Sequence, residues 1–147
     1  MKITLEIQRY NPETDDQPYL QVFEVEAEAE DRLLSVLMRI KWDQDPGLGL
    51  RKSCAHGVCG SDAMVVNGRE RLACKTLIKD LASEDGSPIR IEPLRTLPVQ
   101  RDLMVDQSRF FANYIHVKPF FINPEPPPEK ERAVSYTHLT LPTTPYV

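Results

Sequence analysis

Alternating apolar and polar residues open the chain. From Lys2 to Gln8, isoleucine and leucine at odd positions alternate with threonine, glutamate and glutamine at even positions. A period of two over this length predicts a β-strand with one buried face. Turn-forming residues fill positions 11–18, and Tyr19 to Val25 again has strand composition. The sequence therefore predicts an opening β-hairpin.

A helical period replaces this alternation over Arg32 to Trp42. Leu33, Leu37 and Ile40 recur at intervals of four and three residues, which places them on one face of an α-helix. Asp31 is predicted to cap the helix N-terminus, because aspartate is a preferred capping residue. The apolar face is predicted to belong to the core.

A second hairpin and a last strand complete this pattern. Asn67-Gly68 lies between the short apolar runs 63–66 and 69–73, and Asn-Gly at such a position is a strong signal for a tight hairpin turn. Residues 89–92 form the last predicted strand. The hairpin is predicted to return the chain so that Cys74 faces the loop before it.

The pattern changes after Pro98, which marks a predicted domain boundary. Asp102 to Ile115 is predicted to form an amphipathic helix that includes Leu103, Phe110 and Tyr114 among its apolar positions. Four of the protein's five phenylalanines lie at 110–111 and 120–121. A helix this apolar is expected to pack against another surface.

Composition restricts the class of protein. A hydrophobic content of 41% and a charged content of 27% are those of a globular protein. The net charge of −4 without a basic cluster argues against nucleic-acid binding. No apolar run reaches the roughly 20 residues of a membrane span, and no secretory signal is visible. We therefore expect a reducing, cytoplasmic environment.

All three cysteines lie around one glycine-containing loop. Their spacing is Cys54-x4-Cys59-x14-Cys74, and Asp62 lies three residues after Cys59. Plant-type [2Fe–2S] proteins use C-x4-C-x2-C followed by a distant cysteine. The three cysteines match the first, second and fourth positions of that pattern. A carboxylate occupies the third.

The residues between the cysteines suit an anionic cluster. Gly57 and Gly60 permit positive φ angles and close approach of the backbone, so that successive amides can form an anion-binding concavity. Arg51 and Lys52 add positive charge beside it. Hydrogen bonds to sulfur are one means of setting a cluster's reduction potential. The loop is therefore predicted to hold a [2Fe–2S] cluster.

The same residues are also compatible with different kinds of site. Three cysteines and an aspartate can hold structural zinc, although the paired short cysteine spacings typical of zinc sites are absent. Three unrelated buried cysteines are a further alternative, whereas an odd cysteine number argues against disulfides. Asp62 has an alternative role as a turn residue, with Ser61 or water completing the site. His56 is interpreted as a solvated basic side chain and not as a ligand.

The loop and several later segments resemble the iron–sulfur subunit of succinate dehydrogenase and fumarate reductase. The resemblance covers most of residues 1 to about 132 in register. The matching segments are Arg51–Asp62, Asn67–Gly68, Leu72–Cys74, Ile91–Leu94, Val99–Leu103 and Val117–Pro119. The resemblance implies that Cys54, Cys59, Asp62 and Cys74 are the [2Fe–2S] ligands, because that family has a cysteine or an aspartate at the third position.

The resemblance also implies an α+β fold and a domain division. Residues 1–97 would form a β-grasp [2Fe–2S] ferredoxin-type domain, and 98–132 would begin an α-helical ferredoxin domain. In the family that second domain holds [4Fe–4S] and [3Fe–4S] clusters, but no cysteine follows Cys74. Residues 133–147 lack Asp, Glu, Lys and Arg. We interpret them as an anomalous tail, either foreign sequence or natural disordered sequence.

The implied function is electron relay within succinate:quinone oxidoreductase of the tricarboxylic acid cycle. An FAD-containing flavoprotein subunit would perform the substrate chemistry, and this chain would pass single electrons toward quinone at membrane-anchor subunits. The expected location is the cytoplasmic side of the bacterial inner membrane, held there by partner subunits. A fragment lacking the later clusters is expected to be inactive alone. Two rival functions are a free-standing [2Fe–2S] ferredoxin and a zinc-stabilised interaction module.

Overall fold

Strand β1 (Lys2–Arg9) lies inside a five-stranded mixed sheet. The computed structural model describes residues 1–82, 86–122, 124 and 126. The sheet order is β2-β1-β5-β3-β4, with β1 and β5 parallel and the other neighbours antiparallel. The remaining strands of this sheet are β2 (Tyr19–Glu26), β3 (Ala63–Val66), β4 (Arg69–Leu72) and β5 (Ile89–Glu92).

Helix α1 (Leu33–Asp43) supplies the other layer of the core. Its buried side chains belong to one hydrophobic cluster with the inward residues of β1 and β5, such as Leu5 and Ile91. This burial follows from the predicted patterns, since the apolar stripe of the helix meets the apolar face of the sheet. The predicted strands, the helix and the Asn67-Gly68 hairpin are all confirmed, and the architecture is α+β.

The predicted cap of α1 is wrong. Arg32, and not Asp31, is the N-cap residue, and its side chain makes no capping hydrogen bond. The carboxylate of Asp31 instead accepts the Glu28 amide at 2.9 Å and pairs with Arg39. Side-chain capping is not needed here, because carbonyl groups from the segment around Cys74 meet the first amides of the helix.

The predicted helix from Asp102 is also wrong at its start. Residues 99–105 form a two-stranded hairpin of β6 (Val99–Arg101) and β7 (Met104–Val105), and helix α2 covers only Ser108–Val117. Asp102 lies in the hairpin turn with a φ of 48°, a left-handed conformation that ends helical geometry and that aspartate tolerates. A single 3₁₀ turn, Ile78–Asp80, completes the described elements.

The chain divides into two units, Met1–Ala112 and Asn113–Val147. The sheet, α1, the cysteine loop and the β6–β7 hairpin all belong to the first unit. Residues 133–147, which the sequence analysis interprets as an anomalous tail, lie outside the described residues.

Candidate metal centre

The loop between α1 and β3 has an irregular backbone that turns repeatedly. Ala55, Gly57 and Gly60 have φ angles of 58°, 84° and 70°. Glycine adopts this left-handed region without steric cost, so the two glycines permit the positive φ angles predicted for the loop. Ala55 makes the same turn at some cost, which sequence reasoning did not anticipate. These turns direct the amides of Val58 and Cys59 toward the sulfur of Cys54.

The sulfur of Cys54 accepts hydrogen bonds from these two amides. The amides of Val58 and Cys59 lie 3.4 and 3.3 Å from Cys54 Sγ. Hydrogen bonds from the amides of His56, Cys59 and Val58, in that order of size, lower the pKa of Cys54 to about 6. Donors that point at a sulfur favour its anionic form. The loop therefore stabilises a thiolate at Cys54 near neutral pH.

Cys59 is exposed, whereas Cys54 is half-buried. Its Sγ lies 3.1 Å from the hydroxyl oxygen of Ser61. Hydrogen bonds from Ser61, the side chain first and then the backbone, lower the pKa of Cys59. Cys54 and Cys59 also interact with each other through their side chains. The two thiols are therefore neighbours, and because both are more exposed than Cys74 we call them the outer pair.

Cys74 has the opposite environment, because it is fully buried in the hydrophobic cluster. Its amide donates to Oδ2 of Asp62 at 2.5 Å, and the guanidinium of Arg32 donates to its carbonyl oxygen at 2.6 Å. Burial first, and then the side-chain hydrogen bond between this thiol and the Asp62 carboxylate, raises the pKa of the Cys74 thiol. Asp62 and Cys74 thus form a second, inner pair.

The N-terminus of α1 fixes the segment around Cys74. The amide of Leu33 donates to the Thr76 carbonyl at 2.9 Å, and the amide of Leu34 donates to the Ala73 carbonyl at 3.1 Å. The first amides of a helix lack partners within the helix, so these bonds replace the missing side-chain cap. The carbonyls on both sides of Cys74 are therefore anchored to the core helix.

Asp62 retains one oxygen without a partner. The residue is only 2% exposed, and within the described part of the chain its Oδ1 is buried with no hydrogen-bond partner. A buried carboxylate oxygen is normally paired, because leaving it desolvated and unpaired is unfavourable. This oxygen is therefore chemically suited to accept a cation or a donor.

The structure brings the two pairs to the same loop. The amide of Gly57 interacts with the Cys74 thiol, and the side-chain stem of Lys75 covers Gly57 so closely that an added Cβ would lie 2.7 Å from Lys75 Cε. Within the described residues, however, no three or more His, Cys, Asp or Glu side chains are placed to hold a single metal ion. The outer and inner pairs are also electrostatically linked, because Cys54 is among the groups that raise the pKa of Cys74.

Some contributing residues were missed by sequence reasoning. Arg32 and Lys75 contact the site although they belong to the helix start and to the chain after Cys74, and no local pattern indicates this. Ser61 is predicted only as an alternative group to complete the site, and the structure instead places its hydroxyl oxygen 3.1 Å from Cys59 Sγ. His56 contacts only its own loop in the described hydrogen bonds, with Nδ1 2.7 Å from the Cys54 carbonyl oxygen.

Comparison with known proteins identifies the class. The chain belongs to the 2Fe-2S iron-sulfur cluster binding domain family, whose model matches residues 4–112. The mixed sheet and helices are thus those of an α+β, ferredoxin-like fold. In the residues described, no helix is both long and apolar enough to cross a membrane.

Relatives within this family carry more specific names. The chain is 43% identical over 134 residues to the succinate dehydrogenase iron-sulfur subunit of Coxiella burnetii, covering 90% of this chain and 55% of the relative. It is 39% identical over 145 residues to the fumarate reductase iron-sulfur subunit of Haemophilus influenzae, with coverages of 94% and 55%. The resemblance to these subunits is thereby confirmed.

A solved structure agrees. The Mycobacterium smegmatis Sdh1 complex in the apo form contains a chain with a TM-score of 0.70 and 30% identity, covering 90% of this chain and 53% of that one. The chain therefore spans about half the length of the relatives that it matches.

Proposed function

We propose that this chain binds the [2Fe–2S] cluster of a succinate dehydrogenase or fumarate reductase. The outer pair, Cys54 and Cys59, and the inner pair, Asp62 and Cys74, are the proposed ligands. When bound, a [2Fe–2S] cluster accepts and donates one electron at a time.

One observation carries this proposal, the unpaired buried Oδ1 of Asp62 beside Cys74. Oδ2 already accepts the Cys74 amide, so the second oxygen is the one free to act as a ligand. An iron ion at that position would remove the penalty of an unpaired buried carboxylate. A turn residue, the alternative role of Asp62, has no need for such burial.

The pairing suits two irons better than one zinc ion. A structural zinc site uses four ligands around one centre, whereas each iron of a [2Fe–2S] cluster takes two protein ligands and two sulfides. The two pairs, Cys54 with Cys59 and Asp62 with Cys74, fit the second requirement.

The chain's own groups would then tune and protect the site. The amides around Cys54 favour the deprotonated thiol that metal binding needs, and the same amides would lower the energy of added negative charge. Burial of Cys74 and Asp62 keeps water from the inner side. The protein's contribution is electrostatic and positional, and the proposal assigns no side chain an acid–base step on succinate.

The wider role belongs to the same proposal. Relatives named as succinate dehydrogenase and fumarate reductase subunits support a place between an FAD-containing flavoprotein subunit and quinone at membrane-anchor subunits. We place the assembled complex on the cytoplasmic side of the bacterial inner membrane. The [4Fe–4S] and [3Fe–4S] clusters expected in such a complex would need ligands outside this sequence.

The domain division also stays a prediction. Residues 1–97 are proposed as the ferredoxin-type domain, 98–132 as the start of a helical domain, and 133–147 as a foreign or disordered tail. The exposed apolar side chains of Phe110 and Phe111 support a packing partner for the region after Pro98.

Anaerobic reconstitution of the full chain with ferrous iron and sulfide tests the central proposal. We expect visible absorption and a ratio of about two iron and two acid-labile sulfide per chain. Cys59→Ala is expected to lose both, whereas His56→Ala serves as a matched loop control and is expected to retain them.

Three outcomes would count against the proposal. A colourless protein, or one that binds zinc without sulfide, would favour the interaction module. Equal loss in His56→Ala and Cys59→Ala would show that the loop fails for conformational reasons. A reconstituted protein that does not associate with the flavoprotein subunit of the same genome on coexpression would favour a free-standing ferredoxin.

A further inference from the structure

A buried charge cluster lies outside the proposed ligand set. Arg9 at the end of β1 pairs with Asp45, after α1, and with Asp102, in the β6–β7 turn. Arg9 and Asp102 are 8% and 2% exposed. Buried charges are costly unless paired and hydrogen-bonded, so this cluster calls for a structural or functional reason.

Asp102 uses both carboxylate oxygens on different parts of the chain. Oδ1 accepts from Arg9 Nε and from the Tyr10 amide, each at 3.0 Å. Oδ2 accepts from the Gly49 amide at 2.7 Å. The backbone adds two more bonds, Asp102 N to the Tyr10 carbonyl at 2.7 Å and Leu103 N to the Gly49 carbonyl at 3.1 Å. The amide and the carbonyl of Gly49 are therefore both hydrogen-bonded to the β6–β7 turn.

The same hairpin also holds Arg51. Arg51 Nη2 donates to Gln100 Oε1 at 2.9 Å and to the Val105 carbonyl at 3.1 Å. Gly49 and Arg51 immediately precede the loop that carries Cys54. A hairpin distant in sequence thus fixes the entry of the proposed cluster loop at two residues.

We infer that Asp102 is a positioning residue for the cluster loop. Its carboxylate ties the entry of the loop to β1, so that the amides of Val58 and Cys59 keep pointing at Cys54 Sγ before any cluster binds. The inference rests on the proposed function only for the identity of the ligand. The anchoring itself can be tested in cluster-free protein.

Asp45 provides a matched control. It is the other anionic partner of Arg9, but besides Arg9 its carboxylate accepts only the Gly47 amide, at 2.9 Å, among the described hydrogen bonds, and its side chain does not contact Gly49 or Arg51 there. The backbone bonds of Asp45, with Ile40 and Leu48, are unchanged by substitution of the side chain. Asp45→Asn and Asp102→Asn each remove one of the two negative charges that pair with Arg9. Asparagine also tolerates the left-handed φ of position 102, so Asp102→Asn changes the carboxylate without adding backbone strain. In asparagine only Oδ1 accepts hydrogen bonds and the nitrogen donates, so the variant cannot accept bonds at both of the positions that Oδ1 and Oδ2 of Asp102 occupy.

Native-state hydrogen exchange on the cluster-free 147-residue chain is the experiment. We expect Asp102→Asn to speed exchange in residues 49–62 about tenfold or more, because a buried hydrogen bond to a charged group limits local opening. We expect exchange in β1 and β3 to change less, and Asp45→Asn to change residues 49–62 less than about threefold. After reconstitution, Asp102→Asn is expected to release iron to a chelator several-fold faster than Asp45→Asn.

Two results would overturn the inference. Unchanged exchange in residues 49–62 of Asp102→Asn would show that the loop entry does not depend on this carboxylate. Equal acceleration in both variants, spread over the whole chain, would reduce Asp102 to a general stabiliser. Because exchange is measured without a cluster, a failure of the wild-type protein to bind iron would reject the proposed function and leave this test intact.

Discussion

The outer and inner pairs of the candidate centre differ in almost every physical property. Cys54 is half-buried and Cys59 is exposed in an irregular loop, and their pKa values are lowered by nearby amides and by Ser61. Asp62 and Cys74 are buried, and burial raises the pKa of Cys74. One half is prepared by local backbone geometry, whereas the other is fixed by contacts with α1.

This difference suggests how the site would assemble. The outer pair offers a thiolate near neutral pH to incoming iron, since thiolate is the binding form. The inner pair is already placed by the core, and its thiol would lose a proton only as metal binds. The inner pair should therefore govern stability of the domain, and the outer pair should govern reactivity.

Alanine substitution at one cysteine of each pair tests that division most strongly. Cys74→Ala and Cys59→Ala are both expected to abolish cluster binding completely. Only Cys74→Ala is expected to destabilise the cluster-free chain, by about 1 kcal/mol, because it removes a buried sulfur from the core. Urea unfolding of cluster-free proteins measures this. Equal midpoints for the two variants would mean that the inner pair is not part of the stable core.

The two glycines of the loop offer a second contrast, which concerns stability alone. Gly60→Ala is expected to cost about 1 kcal/mol for its positive φ, since open space surrounds the position. Gly57→Ala is expected to cost more, about 2 kcal/mol, because the new Cβ must also displace the exposed stem of Lys75. Thermal unfolding of cluster-free protein compares them.

Lys75→Ala supplies the control for that contrast. In the Lys75→Ala background, Gly57→Ala should cost no more than Gly60→Ala, because the clash is gone and only the φ strain is left. A cost that stays at its original size would mean that Lys75 does not limit this part of the loop.

The pH dependence of thiol alkylation separates the pairs without any mutation. Because the folded pKa of Cys54 is about 6, its labelling rate should rise up to pH of about 6 and then level off. An ordinary cysteine continues to gain reactivity up to about pH 8.5. Cys74, with a raised pKa and full burial, should label last. Peptide mapping after brief iodoacetamide treatment of cluster-free protein follows each site.

Urea-denatured protein is the control for alkylation, because all three thiols should then titrate alike near their ordinary pKa. A Cys54 profile in the native protein that matches the denatured one would show that the amides do not stabilise its thiolate. Only the difference between native and denatured protein carries the claim, since intrinsic nucleophilicity also falls with pKa.

Elements with a strong local pattern were predictable from sequence. The alternation in β1, the apolar stripe of α1 and the Asn67-Gly68 turn each determine their element within a few residues. The β6–β7 hairpin has strands of only three and two residues, too short for a period to appear. Its geometry depends on Asp102 meeting Gly49 and Tyr10, which are distant in sequence.

The site divides in the same way. The loop with its glycines and the outer cysteines follows from local spacing, and the hairpin that returns Cys74 follows from one turn signal. The anchoring of Cys74 cannot be predicted from local sequence, because Arg32 and the first amides of α1 contact the segment around Cys74 only after the helix has packed. The cap predicted at Asp31 failed for this reason, since tertiary contacts replaced the local one.

Asp62→Cys tests the inner pair with the smallest expected change. A thiolate at this position would complete the pattern of four cysteines, so we expect the reconstituted variant to keep a [2Fe–2S] cluster. Thiolate is softer and more covalent than carboxylate, so the midpoint potential and the EPR spectrum should both shift. Redox titration of reconstituted protein followed by EPR measures these quantities.

The same variant also removes the acceptor of the Cys74 amide. Asp62→Asn is the matched control, because its amide oxygen can still accept that bond but is a poor ligand for iron. We expect Asp62→Asn to keep the fold and lose the cluster, and Asp62→Cys to keep the cluster with a less stable fold. An unchanged EPR spectrum and midpoint in Asp62→Cys would show that Oδ1 of Asp62 does not bind iron, and the buried carboxylate would then be a purely structural contact of Cys74.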